Sequence, residues 1–162
     1  MTAVSTKPSI PAFCEGIQHF GTTLPEFDTY GNEPAIKEGQ TAIASPSDPA
    51  AVYQTLLAAD ALRYLTLQMT ATKSSGHPGG FASIADGIAS LVMLGYKNII
   101  TEVGHHAPGF YSNVFLDRSL EAMGIETVEQ LCSRFRETDG LLGHLSGQIP
   151  GLLNPAGPLG QG

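Results

Sequence analysis

Asn98-Ile99-Ile100-Thr101-Glu102-Val103 runs straight into Gly104-His105-His106-Ala107-Pro108-Gly109, and how it is read decides the fold. The first six residues are short, rich in β-branched side chains and bounded by turn formers, which predicts a strand. Its neighbours read as helices. Upstream, Asp48-Pro49 pairs a capping side chain with proline at a first helical position, predicting a helix from there to about Ala71. Within it Val52, Leu56, Ala59, Leu62, Leu65 and Met69 recur at helical spacing, and Tyr53, Leu57 and Ala61 add a second stripe. So broad an apolar face implies burial on more than one side.

A second helix is predicted through Phe81, Ile84, Ile88, Leu91 and Val92, stopping at Gly95. After the strand, a helix is expected from about Phe110 to Met123, ending at Gly124. Thr127-Val128-Glu129-Gln130 then reads as a capping box that opens a further helix to about Glu137. Beyond Asp139-Gly140 the chain reads as loop. The order is helix, helix, strand, helix, helix, loop. One strand cannot make a sheet, because a strand buried on both faces requires neighbours on either side. The expectation is an incomplete, helix-rich α/β portion spanning 48–162, preceded by an arm at 1–47.

That arm carries five prolines and four glycines, so no periodic segment lasts. Phe13, Phe20, Phe27 and Tyr30 set it apart from an ordinary disordered tail and point to an extended arm laid over another surface. His19 within it reads as an ordinary surface histidine.

Composition narrows the function classes. The net charge is −7, and the eight Lys and Arg are spread singly, so the clustered basic surface that binds nucleic acid is missing. Backbone amides can still hold a small anion locally whatever the net charge. Two distant cysteines, Cys14 and Cys132, give neither a disulfide framework nor a four-cysteine zinc site, and read as reduced thiols. No signal-peptide pattern opens the sequence and no run approaches a bilayer span, so a cytoplasmic protein without a membrane partner is expected.

Three histidine-glycine clusters and one glycine-rich loop carry the chemistry. Ser75-Gly76-His77-Pro78-Gly79-Gly80 joins two predicted helices; it is either a purely architectural turn or a rigid mount holding an imidazole over a pocket. Gly104-His105 ends the predicted strand before a helix, where α/β sheets bind ligands and helix starts favour anions. Neighbouring His106 imitates a metal pair, but adjacent residues rarely ligate one ion and the spacing of metal motifs is missing. Gly143-His144-Leu145 lies in a 23-residue stretch, Gly140 to Gly162, holding seven glycines and three prolines. The stretch closes on Gly157-Pro158-Leu159-Gly160-Gln161-Gly162, whose N–H groups can turn toward a phosphate.

In this order the clusters resemble the amino-terminal part of the transketolase family of thiamine-diphosphate enzymes, over roughly Ala51 to Gly162. Ser75 to Gly79 resembles the family's first histidine motif, Gly104-His105 its second, Gly143-His144 its third, and Gly157 to Gly162 the cofactor loop. The resemblance implies the amino-terminal portion of a thiamine-diphosphate-binding parallel-sheet domain, with active sites at a homodimer interface. It implies transfer of two-carbon ketol units between sugar phosphates. His105 and the loop at Gly157, Pro158, Leu159 and Gly160 would contact the cofactor, and His77 and His144 would serve catalysis beside the thiazolium.

The run from Gly104 to Tyr111 also resembles the homodimeric pyruvate dehydrogenase E1 subunit, which acts on a 2-oxo acid. Position 106 is histidine where transketolases commonly have glycine. The family's Mg²⁺ ligands, an Asp and an Asn, lie downstream of the cofactor loop, and a glutamate from a further domain activates the cofactor. None of these is matched here. The resemblance therefore implies a chain inactive by itself, completed by the remaining part of the enzyme in the same or a separate polypeptide. A degenerate, non-catalytic interaction subunit is the competing expectation.

Overall fold

Four α-helices and two short 3₁₀ segments pack around one core in a computed structural model that describes residues 49–96, 99–145, 148–152 and 156. Helix α1 spans Pro49–Thr72, α2 Pro78–Met93, α3 Ala107–Leu116 and α4 Val128–Arg134; the 3₁₀ segments are Gly104–His106 and Ser119–Met123. The expected arm and the cofactor-loop positions Gly157, Pro158, Leu159 and Gly160 lie outside the described residues.

The long helix α1 is the hub, with α2, α3 and α4 all packed against it. It starts with proline, whose missing N–H costs nothing in a first turn. Leu62, Leu65 and Met69 are fully buried, together with Phe81, Phe110, Tyr111 and Phe135 from the elements around them. Burying a side chain of this size is worth about 1.5–3 kcal/mol, so this cluster drives the packing. Alanines 58, 59 and 61 let neighbours approach closely. Thr66, also buried, returns its hydroxyl to the Leu62 carbonyl at 2.7 Å, so burial leaves no orphaned donor.

Arg63 fastens α1 to α2. Its guanidinium donates to the Ala82 carbonyl at 3.0 Å, to Asp60 at 3.1 Å and to Asp86. Those partners, Asp86 foremost, raise its pKa further above an already high value. The turn between the helices depends on Gly76, which sits at φ +125° with the Thr70 methyl only 2.6 Å from where a Cβ would stand. Any other residue there would be strained twice over. Helix α2 ends in a Schellman arrangement: Tyr96 donates to Leu91 O at 2.9 Å and Gly95 to Val92 O. Gly95 is the expected stop.

The capping box forms as expected. Gln130 N donates to the Thr127 hydroxyl at 3.2 Å, and the Gln130 side chain accepts from Thr127 N at 2.9 Å. Helix α4 then stops at Arg134, three residues before the expected end, because Phe135 turns extended and bridges Leu141.

Two expectations are corrected. Among the described residues there is no strand: Ile99 to Val103 is irregular, and the one β-type pairing is the isolated Phe135–Leu141 bridge. Among the described residues no second strand stands beside the segment to complete a ladder, and Val103 donates its N–H back to the Thr101 hydroxyl at 3.1 Å. Such local bonding competes with sheet formation. The helix expected from Phe110 to Met123 is instead α3 followed by a 3₁₀ segment. Arg118 adopts a left-handed φ of 67°, and Asp117 accepts from Ser119 N at 2.9 Å.

Large apolar side chains stay exposed at one end of the α1–α2 hairpin: Val52 and Leu56 on α1, Leu91, Leu94 and Tyr96 at the end of α2, and Ile100 beyond it. Val52 and Leu56 belong to the stripe expected to be buried. No helix among the described residues is long and apolar enough to cross a membrane.

Candidate functional site

The first two histidine clusters meet at the start of α2. His77 is the residue that caps this helix by position, yet its side chain makes no capping hydrogen bond. Its exposed ring instead meets His105 edge to face, with ring centroids 6.0 Å apart. His105 in turn meets His106 at 5.0 Å. Three imidazoles from two separate stretches of sequence therefore stand in a row.

The 3₁₀ segment Gly104–His106 explains why adjacent histidines behave differently. It turns His105 toward the rim, half exposed, and drives His106 inward to 8% exposure. His106 packs edge-on against Phe81, which is fully buried and itself stacks edge-on with Phe110 at 5.9 Å. Burial, with His105 adding a smaller repulsion, holds the His106 imidazole below its ordinary pKa. Its Nδ1 has no hydrogen-bond partner among the described residues.

Two glycines make the arrangement possible. A Cβ on Gly80 would lie 2.9 Å from His106 Nε2 and 3.1 Å from His105 Nε2, so both nitrogens rest against this glycine. A Cβ on Gly109 would lie 2.0 Å from the Phe81 ring, which packs directly on the α3 backbone. The opening turn of α2 adds its own anion-attracting character, since its first N–H groups have no partner within the helix.

His144 is placed differently. It is exposed in the loop after the Phe135–Leu141 bridge, and no ring contact joins it to the other histidines among the described residues. Its backbone is nevertheless anchored. The Tyr111 hydroxyl lies 2.8 Å from the Leu142 carbonyl and 3.1 Å from the His144 carbonyl, sharing its proton between them. Burial raises the Tyr111 phenol well above its ordinary pKa, so it stays a donor throughout the physiological range. Beside it, Gly143 leaves room for the Arg136 guanidinium, 3.2 Å from where a Cβ would stand.

The structure thus brings together His77 and His105 and holds His144 on a tied loop. Sequence reasoning missed the roles of His106, Phe81 and Tyr111. A signal existed for Gly109, because a glycine inside a helical stretch marks close packing; for Tyr111 none did. Chemically the row offers imidazole nitrogens that can donate or accept hydrogen bonds, with the His77 ring exposed and the His105 ring half exposed. Among the described residues no group of three His, Cys, Asp or Glu is placed to hold a metal ion. No family model, no curated protein and no solved structure matches this chain, so its functional reading rests on this geometry and on the motif resemblance.

Proposed function

We propose that this chain is part of a thiamine-diphosphate-dependent, transketolase-like enzyme that transfers two-carbon ketol units between sugar phosphates, and that it is inactive by itself. One observation carries the reading. His77 and His105, from two clusters that each resemble a motif of the family, have ring centroids 6.0 Å apart at a helix start rather than on unrelated surfaces. The residues present suit the anionic end of the cofactor. Gly80 is a place a Cβ would fill, and the Nε2 atoms of His105 and His106 both rest on it.

In this proposal His105 donates a hydrogen bond to the diphosphate, assisted by the unpaired N–H groups of the α2 start. His77, exposed at the rim, orients a substrate hydroxyl and moves its proton. His144, on the loop that Tyr111 ties down, serves the same substrate from the other side, and the loop at Gly157, Pro158, Leu159 and Gly160 completes the cofactor contacts. When bound, thiamine diphosphate supplies the carbanion stabilisation that protein side chains lack, and the protein supplies orientation and electrostatics. Mg²⁺ is assigned to residues outside this chain.

The same proposal places the chain in an incomplete α/β domain of a cytoplasmic homodimer. The large apolar side chains left exposed at that end, Leu56, Leu91, Leu94, Tyr96 and Ile100, support a neighbour there. The run Gly104 to Tyr111 favours a second reading, decarboxylation of a 2-oxo acid as in pyruvate dehydrogenase E1.

His105→Ala in the native full-length polypeptide tests the site. It should weaken thiamine diphosphate binding by about 10-fold or more, the scale of one lost charged hydrogen bond. Unchanged affinity would remove His105 from the cofactor site. Ketol transfer from a sugar phosphate and decarboxylation of pyruvate, assayed side by side on the wild type, separate the two substrate readings; neither activity leaves a non-catalytic interaction subunit.

A further inference from the structure

In the hairpin after α4, Arg136 is held in place without being neutralised. Among the described residues Arg63, Lys73, Arg118 and Arg134 each pair with a carboxylate. The carboxylates nearest Arg136 in sequence are engaged elsewhere, Glu137 by Lys73 and Asp139 by Arg134. The Arg136 guanidinium has neither an ion pair nor a hydrogen bond among the described residues. An exposed arginine without a carboxylate is ordinary by itself. This one is braced on two sides.

A Cβ on Gly143 would stand 3.2 Å from the Arg136 Cζ and 3.3 Å from its Nε and Nη2. Near-equal distances to three atoms of one plane mean that the guanidinium meets Gly143 with its face. The N–H bonds lie in that plane, so the face-on contact leaves the donors free. The guanidinium carbon also lies 5.9 Å from the centre of the Phe135 ring, a cation–π approach. Cε1 of that buried ring is 4.0 Å from where a Cβ on Gly76 would stand. One brace thus leads to the turn carrying His77, and the other to the loop carrying His144. The backbone at Arg136 is held at φ +59° by its N–H bond to the Leu141 carbonyl. Glycine would suit that conformation better, so the arginine side chain contributes nothing to forming the turn.

We infer that Arg136 is a substrate-binding residue, whose free guanidinium edge takes a terminal oxyanion of the substrate on the flank of the His144 loop. The inference rests on the transketolase-like reading above, in which that oxyanion is the phosphate of a sugar phosphate. It is separate from the diphosphate contacts assigned to His105 and the α2 start. A guanidinium offers two parallel N–H groups that match two oxygens of a phosphate or carboxylate, which an ammonium cannot do. The carboxylate of a 2-oxo acid shares this chemistry, so the test includes both sources.

The native full-length polypeptide is titrated calorimetrically with a pentose 5-phosphate, the free pentose and pyruvate. The pentose phosphate should bind more tightly than the pentose by about 10-fold or more. Arg136→Gly should abolish that preference and leave affinity for the free pentose unchanged, and Arg136→Lys should recover only part of it. Because glycine suits φ +59°, the urea midpoint of Arg136→Gly should equal or exceed that of the wild type, which separates lost binding from lost folding. Should Arg136→Gly not fold, Arg136→Asn, which also tolerates this backbone, takes its place. A folded variant that binds the preferred anion as tightly as the wild type would overturn the proposal. So would a wild type that binds neither anion more tightly than the pentose. Arg136-dependent binding of pyruvate in place of the pentose phosphate would keep the oxyanion site and defeat the sugar-phosphate reading. Arg136-dependent binding of the pentose phosphate by a wild type without ketol transfer would keep the site and defeat the proposed reaction.

Discussion

Gly109→Ala probes the contact on which the histidine row rests. An alanine Cβ at 109 would stand 2.0, 2.1 and 2.2 Å from three carbons of the Phe81 ring. Comfortable carbon–carbon contact begins near 3.5 Å, so each pair is too close by roughly 1.3–1.5 Å. The ring has little room to yield. It is fully buried, with Phe110 at 5.9 Å and His106 at 6.3 Å on its flanks. Overpacking a core typically costs about 1–3 kcal/mol, and an overlap this deep belongs at or beyond the upper end. Alanine's helix propensity returns at most about 1 kcal/mol. The net expectation is a loss of at least about 2 kcal/mol, lowering a urea midpoint by about 1 M. Phe81→Leu should relieve the collision, making the double variant less damaged than the sum of the singles by about 1 kcal/mol or more. A midpoint for Gly109→Ala equal to or above wild type would refute this packing, and with it the support for His106.

Tyr111→Phe removes the hydroxyl that ties down the Leu142 and His144 carbonyls; urea unfolding should show a loss of about 1–2 kcal/mol, with backbone amide exchange faster around residues 142–145. His106 titrates below its ordinary value because burial favours the neutral ring, so the unfolded chain binds the proton more readily and stability must fall as pH drops below about 6.5. His106→Phe should flatten that slope between pH 7 and 5, and an NMR titration placing His106 above the free-histidine value would contradict the sign. Thr127→Ala breaks the capping box and should cost about 1 kcal/mol by thermal or urea unfolding, with Thr127→Ser nearly neutral.

Local signals in the sequence were good guides where one residue dictates local geometry. Pro49 opens α1, Thr127 and Gln130 cap α4, and Gly95 ends α2, each through a backbone preference or a nearby hydrogen bond. Signals that need a distant partner failed. Ile99 to Val103 has the composition of a strand, but a strand exists only with a neighbour to pair with. The break at Asp117-Arg118 carries neither glycine nor proline; only the Asp-x-Ser pattern hinted at a local turn. Val52 and Leu56 follow a core pattern yet lie exposed.

The candidate site divides in the same way. His77 and His105 were visible as histidines beside glycine and proline, because such clusters mark turns that mount a side chain. Their meeting was not visible, since it depends on how α2 and the 3₁₀ segment pack. The inward turn of His106 was hidden too, because a pair of adjacent histidines looks symmetrical until the segment's path sends one ring outward and the other under Phe81.

The most direct test is the thiamine diphosphate content of the native polypeptide that contains this sequence, purified from its source cells and released by acid. Near-stoichiometric thiamine diphosphate is the predicted result, as it places these histidines in a thiamine-dependent protein. A pure, folded preparation that releases none, and takes up none when incubated with thiamine diphosphate and Mg²⁺, would contradict the proposed function.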